Sequence, residues 1–307
     1  MSLPVPLVSV VIPCYNQAAY LGEAVGSVLR QTHPRVEVIV VDDGSKDAPG
    51  RVTDGHVGVR LIRQTNQGPA AARNTGLRAS TGQYLVFLDA DDRLLPDAIE
   101  VGLRHLNARP GCAFVSGHCR YIAADGGAMP SPPQLVVNED HYKMLLHRNF
   151  ILAGSTVLHR RECLESVGGY NPAPRLKGAE DYDLYLRLTR IHPVFCHGEV
   201  VAEYRQYDQG GANVSGNLSG MFQATLTALR TQRKYLKNND AYRNVYRQGI
   251  SHKQQLWGGM VIEQVKLQLR TRGARARVAQ NIWVLIKYNK RGLLARAASR
   301  VRWPRSE

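Results

Sequence analysis

Carboxylates cluster directly after two strongly apolar segments of the chain. Carboxylates that converge on one edge of a sheet repel one another unless a cation or a hydrogen-bonding ligand stands between them. We therefore predict a divalent metal ion together with a polyhydroxyl or nucleotide ligand at this edge. The carboxylates are Asp42 and Asp43 after segment 36–41, and Asp89, Asp91 and Asp92 after segment 84–88.

The second acidic group contains a D-x-D arrangement, Asp89-Ala90-Asp91. Residues two apart on an extended chain point to the same side, so both carboxylates can face one divalent cation, or one can hold the metal while the other holds a ribose. The alternative is an acidic turn in which Asp92 or Asp97 caps the following helix. The acidic pair at the other strand end favours ligand binding.

A third acidic pair, Glu180-Asp181, opens a predicted helix. Carboxylates there complement the positive end of the helix dipole, and that role alone accounts for them. A carboxylate beside another carboxylate can also have its pKa raised, which suits a general base. Asp183 is interpreted as a solvated residue or as a helix-stabilising partner of Arg187, four residues later.

Strand-like and helical segments alternate over residues 8–88. Runs that are apolar on both faces are typical of buried parallel strands. The alternation predicts an α/β fold with a parallel sheet and right-handed crossovers, in which ligands lie beyond the carboxyl ends of the strands. The predicted strands are 8–12, 36–41, 57–62 and 84–88, and the predicted helices are 69–79 and the segment that carries Leu21, Ala24, Val25, Val28 and Leu29 on one face.

The chain is less regular from there to residue 220 and helical beyond it. Segment 125–138 is rich in Gly and Pro and predicts a loop at the surface or over a site. The elements predicted elsewhere in this part are a strand-like run at 154–158, helices at 161–167 and 180–189, a polar connector at 204–220 and helices from Met221 onward.

Four segments, in this order and spacing, resemble glycosyltransferase family 2: VSVVIPCYN, VIVVDDGSKD, NQGPAAARNTGLRASTGQYLVFLDADD and GAEDYDLYLRL. The resemblance covers roughly residues 8–215. It implies a GT-A fold, which is a Rossmann-like, mostly parallel nucleotide-sugar-binding sheet flanked by helices. We therefore expect a GT-A catalytic domain at 1–215, with a donor-binding half at about 1–120 and an acceptor half at about 121–215, and a basic helical C-terminal region at 216–307.

The resemblance also implies a role for each candidate site residue. Asp181 is similar to the general base of the family, Asp91 to its metal-holding acid and Asp89 to the partner at the ribose and cation. Glu180 and Arg205 are expected to support the acceptor or the base, although Glu180 equally suits a helix cap. The other expected nucleotide-sugar-binding residues are Pro13, Tyr15 and Asn16 against the base and ribose, Asp42 and Asp43 as hydrogen-bond acceptors for the base, Asn66 and Gly68 in the adjoining loop, Arg73 at the diphosphate, and Ala90.

The implied reaction is a single inverting displacement at the anomeric carbon of a nucleotide-diphosphate sugar, with UDP or dTDP as the nucleotide. The resemblance implies Mn²⁺ or Mg²⁺ as cofactor and a glycan or lipid-linked acceptor, in cell-surface polysaccharide synthesis. One position departs from the family pattern. Many members carry Y-R-x-H after the base-bearing helix, whereas this chain has Tyr207 in place of the histidine. Any function of that histidine is performed by Tyr207, Arg205 or the loop 208–215, or is not performed at all.

Charge is distributed very unevenly along the chain. The formal net charge is +15, and residues 221–307 carry 19 basic against three acidic residues, so the rest of the chain is nearly neutral. The apolar stripes of this basic tail either pack on the catalytic body and on each other or lie on an anionic membrane surface. They also allow a homodimer. The stripes comprise Phe222, Leu226, Leu229 and Leu236, then Val278, Ile282 and Leu285 with Trp283 and Ile286, and segment 293–303.

Other function classes fit the sequence less well. Nucleic-acid binding is disfavoured because the charge is confined to the tail, which carries no aromatic RNA-binding or helix-turn-helix signature. A non-catalytic sugar-nucleotide binder is disfavoured by the intact Asp91 and Asp181. A nucleotidyltransferase is disfavoured because PCYN after the first strand is not a Gly-rich phosphate loop.

Composition and segment lengths bear on location. No uncharged apolar run is long enough to span a bilayer, and the N-terminus has no basic region typical of a signal peptide. The five cysteines form no C-x-x-C pair, so neither a disulfide framework nor a zinc site is expected from them. We predict a cytoplasmic protein, peripheral on the inner face of the plasma membrane if the tail binds lipid.

Overall fold

The computed structural model describes residues 4–207, 217–269 and 275–289. Strands and helices alternate in its first part. They are β1 (Val8–Cys14), α1 (Ala18–Leu29), β2 (Val36–Asp42), α2 (Gly50–Thr53), β3 (Val59–Arg63), α3 (Pro69–Ala79), β4 (Tyr84–Phe87), β5 (Arg93–Leu94) and α4 (Ala98–Asn107).

The second part adds four strands and the helices of the C-terminal region. They are β6 (Phe114–Ile122), β7 (Ala128–Met129), α5 (His141–His147), β8 (Val157–Arg160), α6 (Arg161–Ser166), α7 (Glu180–Thr189), β9 (Phe195–Arg205), α8 (Leu218–Thr231), α9 (Asp240–Leu269) and α10 (Arg275–Tyr288).

The nine strands of the described residues belong to one sheet with the order β3-β2-β1-β4-β8-β6-β9-β5, and β7 pairs with β6. The four strands β3, β2, β1 and β4 are mutually parallel. The other half is mixed, since β8 is antiparallel to both of its neighbours while β6 and β9 are parallel. The parallel half therefore presents the carboxyl ends of β1, β2 and β4 at one edge, as the alternation of elements predicted.

Apolar side chains on both faces of the sheet explain why helices cover both. Val10 and Ile12 of β1 pack on one face with Leu21 of α1. Val11 packs on the other face with Leu77 of α3. Because successive side chains of a strand point to opposite faces, a strand apolar throughout must be buried on both. The contact between α3 and β1 is close, since a Cβ atom at Gly76 would lie 2.2 Å from Cγ1 of Val11.

Most predicted element bounds lie within two residues of the observed ones. The predicted connector 204–220 is shorter in the structure, since β9 extends to Arg205 and α8 begins at Leu218. The helices at 69–79 and 180–189 are confirmed at both ends. The predicted strand at 57–62 begins only at Val59, since Val57 is almost fully exposed in a turn. Within the predicted strand 154–158, residues 154–156 form a 3₁₀ turn before β8. Loop 125–138 contains the two-residue strand β7.

The C-terminal helices pack against the body through buried apolar and charged contacts. The first predicted stripe is buried, with Phe222, Leu226 and Leu229 on α8 and Leu236 beyond it. Phe222 and Leu226 pack with Val284 of α10, and Leu229 and Leu236 belong to the core cluster of the body. A Cβ atom at Gly249 of α9 would lie only 1.9 Å from the carbonyl oxygen of Leu146, so the backbones of α9 and α5 are in close contact. The buried Lys253 donates to the carbonyl of His147 at 3.0 Å.

Part of the second stripe stays exposed, namely Ile282, Trp283 and Ile286. Segment 293–303 lies outside the described residues, and so does most of the connector 204–220. None of the described helices has the length and apolar character needed to cross a bilayer. The division of the chain at residue 215 stays a prediction.

Candidate active site

Asp42 ends β2 and Asp43 follows it, and their carboxylates hydrogen-bond to the loops after β2 and β3. Asp43 is 3% exposed and accepts hydrogen bonds from Gln64 Nε2 (2.8 Å), the Gln67 amide (2.9 Å) and the Gly68 amide (2.8 Å). Asp42 accepts from the Ser45 amide at 2.8 Å, and its other oxygen lies 3.3 Å from Arg63 Nε. Both carboxylates therefore shape the loops, and a direct bond from either to a base stays a prediction.

The loop after β1 is tied to the loop after β2. Asn16 has a positive φ of 53°, its amide donates to Ser45 Oγ at 3.0 Å and its Oδ1 accepts from the Lys46 amide at 2.9 Å. Next to it the Tyr15 side chain is 46% exposed. This bracing leaves an exposed aromatic ring at the sheet edge, the kind of surface on which a base can stack.

Gly68 and α3 form the adjoining part of this edge. Gly68 has φ 89°, which favours glycine, and it precedes the helix that Pro69 begins. Pro13, half-buried in β1, pairs with Val41 of β2, and Asn66 is exposed in the loop before α3. The predicted donor-site residues of β1, β2 and α3 thus come together at one edge.

Arg73 on α3 is the central cation of the site. Its side chain is 6% exposed, its Nη2 donates to Asp89 Oδ1 at 2.7 Å and its Nη1 lies 3.8 Å from Asp181 Oδ1. Burial disfavours its charge, but Asp181 and Asp89 outweigh burial and hold the pKa of Arg73 well above its ordinary value. Arg73 was expected at a diphosphate; the structure shows it linking the D-x-D loop to the predicted base.

The D-x-D loop holds three carboxylates in different surroundings. The Asp89 side chain is 36% exposed, Asp91 Oδ2 accepts from the Tyr207 hydroxyl at 2.9 Å, and Ala90 is buried. Burial, together with the negative charge of Asp89, raises the pKa of Asp91. The loop therefore concentrates negative charge that its protein partners offset only in part.

Asp92 belongs to the scaffold of this loop. It is 1% exposed, and its carboxylate accepts from Ser155 Oγ at 3.2 Å and from the Arg205 amide at 3.0 Å. These bonds anchor the loop to β9 and to the turn before β8. Of the two residues considered for a capping role, Asp97 precedes α4 but makes no side-chain capping bond.

Arg205 is buried beneath the D-x-D loop, whereas we expected it beside the acceptor or the base. Its guanidinium is fully buried and donates to the carbonyls of Asp91 (2.8 Å), Ala123 (3.1 Å) and Ala124 (2.8 Å), and to Glu23 Oε2 (2.8 Å). A side chain with no exposed surface offers no donor to an acceptor molecule. We therefore assign Arg205 to holding the D-x-D backbone rather than to supporting the acceptor or the base.

Asp181 stands at the start of α7 opposite the D-x-D loop. Its side chain is 31% exposed, while its Oδ1 is buried, 3.8 Å from Arg73 Nη1. Burial raises the pKa of Asp181 above the ordinary 3.8, an effect that Arg73 opposes and the charge of Asp89 reinforces. A partly accessible carboxylate with a raised pKa is chemically suited to take a proton.

The neighbouring acids of α7 serve the helix. Glu180 is 6% exposed and its Oε2 accepts from the Gly178 amide at 2.8 Å, which agrees with the helix-terminal alternative. Asp183 bonds Arg187 Nε at 2.8 Å, so the predicted pairing is confirmed. Asp183 is buried, and the alternative of a solvated residue is wrong, because α7 packs that face against the body.

The sheet is parallel in one half, carries the D-x-D loop at its carboxyl edge and has the helix-borne carboxylate of Asp181 opposite that loop. The sequence profile of glycosyl transferase family 2 matches residues 9–168, which is more than half of the chain. The chain belongs to this family.

Two relatives illustrate the extent of the likeness. The chain is 30% identical over 220 residues to an uncharacterized glycosyltransferase of Rickettsia typhi, covering 69% of this chain and 68% of the relative. It is 32% identical over 198 residues to the chondroitin synthase of Escherichia coli, covering 62% of this chain but only 27% of the synthase. The match thus spans about a quarter of that larger enzyme.

Solved structures show the same fold at low sequence identity. S. aureus TarS 1–349 in complex with UDP superposes with a TM-score of 0.62 at 16% identity, covering 85% of this chain and 78% of the other. The mannosyltransferase PcManGT from Pyrobaculum calidifontis, in complex with GDP-Man and Mn²⁺, gives 0.54 at 20% identity, covering 91% and 85%. These neighbours confirm the expected GT-A architecture.

Proposed function

We propose that this protein is a metal-dependent inverting glycosyltransferase that moves a sugar from a UDP- or dTDP-sugar to a hydroxyl of a glycan or lipid-linked acceptor. The observation that carries the proposal is the position of Arg73, which bonds Asp89 on one side and lies 3.8 Å from Asp181 on the other. The buried guanidinium of Arg73 thereby holds Asp89, which we assign to ligand binding, close to Asp181, which we assign as the proton acceptor. The UDP complex of TarS supports a uridine nucleotide.

In the proposed reaction the acceptor oxygen bonds to the anomeric carbon while the bond from that carbon to the diphosphate oxygen breaks. The hydroxyl proton moves to Asp181, and the bonding electrons leave with the nucleoside diphosphate. Arg73 keeps Asp181 from becoming too basic and orients its carboxylate. Tyr15 and Asn16 contribute the surface for the base, and the start of α3 lies beside the position of the diphosphate.

The D-x-D loop fits a Mn²⁺ or Mg²⁺ ion. Carboxylate oxygens are the ligands that these hard cations prefer, and the second oxygen of Asp89 has no donor within the described part of the chain. When bound, the cation would supply positive charge beside the departing diphosphate. The Mn²⁺ complex of PcManGT supports this assignment.

The stereochemistry of the product tests this proposal. The purified chain is incubated with UDP- and dTDP-sugars, Mn²⁺ or Mg²⁺, and a panel of glycan and lipid-linked acceptors, and the new anomeric centre is assigned by NMR. An α-linked donor is expected to give a β-linked product. An α-linked product would refute inversion, and the absence of nucleoside diphosphate release with every donor would refute the assigned activity.

Tyr207 allows a separate test of the metal assignment. Its hydroxyl bonds Asp91 Oδ2, and loss of a hydrogen-bonding partner behind a metal ligand typically costs 10–100-fold in metal affinity. We expect Tyr207→Phe to weaken Mn²⁺ binding in the presence of UDP by about tenfold, as measured by calorimetry. Tyr121→Phe, which alters a tyrosine on β6 instead, is the matched control. Equal Mn²⁺ affinity in wild type and Tyr207→Phe would exclude a supporting role for the phenol.

We further propose that the C-terminal helices bind an anionic membrane surface, which would bring the site to a lipid-linked acceptor in cell-surface polysaccharide synthesis. Exposed apolar side chains stand on basic helices, with Leu267 and Leu269 on α9 and Trp283 and Ile286 on α10. Apolar insertion together with positive charge is the pattern of interfacial helices. The chondroitin synthase relative supports a polysaccharide context, and the cytoplasmic location stays part of this proposal.

Vesicle sedimentation tests the membrane proposal. Binding is expected to vesicles that contain phosphatidylglycerol and not to neutral phosphatidylcholine vesicles, and Trp283→Ser with Ile286→Ser is expected to reduce it. Equal sedimentation with both vesicle types, or a concentration-dependent dimer that disappears in the double variant, would instead assign these side chains to another surface.

A further inference from the structure

A second set of metal-ligating side chains lies between α4 and β9, outside the glycosyltransferase site. His105 belongs to α4, and His197 and Glu199 belong to β9. One ligand atom from each of the three lies within 4.8 Å of those from the other two. The His105 and His197 rings are stacked, with centroids 4.3 Å apart and planes at 15°, and Glu199 Oε1 lies 2.6 Å from His105 Nε2.

Two buried imidazole nitrogens near this cluster lack partners. His197 is 5% exposed, yet its Nδ1 has no hydrogen-bond partner in the described structure. On the neighbouring strand β6, the buried Nε2 of His118 is unpartnered among the same residues. Buried polar atoms are nearly always bonded, and an ion is one of the few explanations for an exception. The unpartnered nitrogens therefore point to a ligand.

The backbone beside the cluster leaves room for the His197 ring. A Cβ atom at Gly117 of β6 would lie 2.6 Å from Cε1 of His197 and 2.8 Å from the carbonyl oxygen of Glu199. Any larger residue at position 117 would displace the ring or the strand that carries it. The absence of a side chain at this position therefore permits the His197 conformation that the cluster requires.

The donor set distinguishes this cluster from the D-x-D loop. Two imidazoles and one carboxylate suit Zn²⁺ and similar transition metals, whereas the all-carboxylate loop suits Mg²⁺ or Mn²⁺. Glu199 already pairs with Arg104 Nη2, at 2.5 and 2.7 Å. The Arg104 side chain is 61% exposed, so it can turn into solvent when a cation takes its place.

We propose that His105, His197 and Glu199 bind a divalent transition-metal ion of the Zn²⁺ class at a site separate from the donor site. The ion would join α4, which follows the D-x-D loop, to β9, which ends in the Arg205 that holds the same loop. Its expected effect is therefore to stabilise the frame of the active site. This proposal does not depend on the sugar donor, the acceptor or the stereochemistry.

Titration of the untagged full chain with Co²⁺, followed by visible absorption and displacement with Zn²⁺, tests this site. We expect one equivalent of Co²⁺ with tetrahedral d–d bands, and a rise in melting temperature with Zn²⁺ that Mg²⁺ does not produce. His105→Ala and Glu199→Gln are expected to weaken Co²⁺ binding at least about tenfold. Both residues are partly exposed, so these variants are expected to fold.

Two control variants locate the bound ion. His56→Ala removes a histidine from a turn outside the cluster and is expected to leave the Co²⁺ isotherm unchanged. Asp91→Asn alters the D-x-D loop, which binds divalent ions through oxygen alone, and is expected to leave the tetrahedral Co²⁺ bands unchanged. A wild-type isotherm that matches the His105→Ala isotherm would overturn the proposal. So would loss of the Co²⁺ bands in Asp91→Asn, because the ion would then belong to the donor site.

Discussion

Replacement of Asp181 by asparagine is expected to lower kcat for glycosyl transfer by about 10²–10⁴-fold, while donor affinity changes little. Asparagine has nearly the same shape and keeps an oxygen toward Arg73, but it cannot accept the acceptor proton. The loss should therefore appear in kcat from steady-state assays, whereas calorimetry with the donor sugar should give nearly the wild-type dissociation constant.

Glu180→Gln is the matched control for this prediction. The glutamine retains an oxygen that can accept from the Gly178 amide, as Glu180 Oε2 does, so most of the activity should remain. If Glu180→Gln abolished transfer and Asp181→Asn did not, the base would be assigned to the wrong carboxylate of α7.

The same carboxylate should set the acid limb of the pH profile. Its pKa is raised above 3.8, and the base acts only when deprotonated, so kcat/KM is expected to fall as the pH falls through this raised pKa. The limb should be missing from the residual activity of Asp181→Asn. An unchanged limb in that variant would assign the titration to another group.

Replacement of Arg205 by methionine is expected to lower the free energy of unfolding by about 3–5 kcal/mol. The substitution leaves three buried backbone carbonyls without their charged donor, whereas Glu23 is 43% exposed and keeps its bond to Arg93. Removal of one partner from a buried charged network is costly because the remaining groups stay desolvated. Urea denaturation followed by circular dichroism measures the effect.

Arg120→Met provides the comparison for Arg205. Arg120 also lies at the β6–β9 pair and bonds Glu203, but its side chain is 57% exposed. An exposed ion pair contributes at most about 1 kcal/mol. Equal destabilisation by the two substitutions would show that the burial of the Arg205 guanidinium does not determine its contribution.

Local sequence patterns predicted much of the fold for identifiable reasons. Proline at the first turn of 69–79 and acids at the start of 180–189 specify where these helices begin. The doubly apolar strands predicted a sheet covered on both faces, and the position of acids after two such strands predicted a shared edge. In the structure Asp43, Asp89 and Asp181 lie at that edge. Asp43 accepts from the Gly68 amide, and Arg73 bonds Asp89 and lies near Asp181.

The partners of each acid could not be read from local patterns, because they come from distant parts of the chain. Arg73 lies near Asp181, and Arg205 supports Asp91, only once the sheet has assembled. Asp42 and Asp43 resemble ligand-binding acids in sequence but have internal partners. The one local indication for Tyr207 was its place where relatives carry histidine, and the structure adds its bond to Asp91.

The most direct test of the central claim is binding of a nucleoside-diphosphate sugar at the D-x-D edge. Melting temperatures of wild type and Asp91→Asn are measured with UDP-GlcNAc and other UDP- and dTDP-sugars, with and without Mn²⁺. A ligand that binds only the folded state raises the melting temperature by mass action. We predict a Mn²⁺-dependent rise for one donor in the wild type and its loss in Asp91→Asn. No rise with any donor at millimolar concentration, or an equal rise in both proteins, would contradict the account.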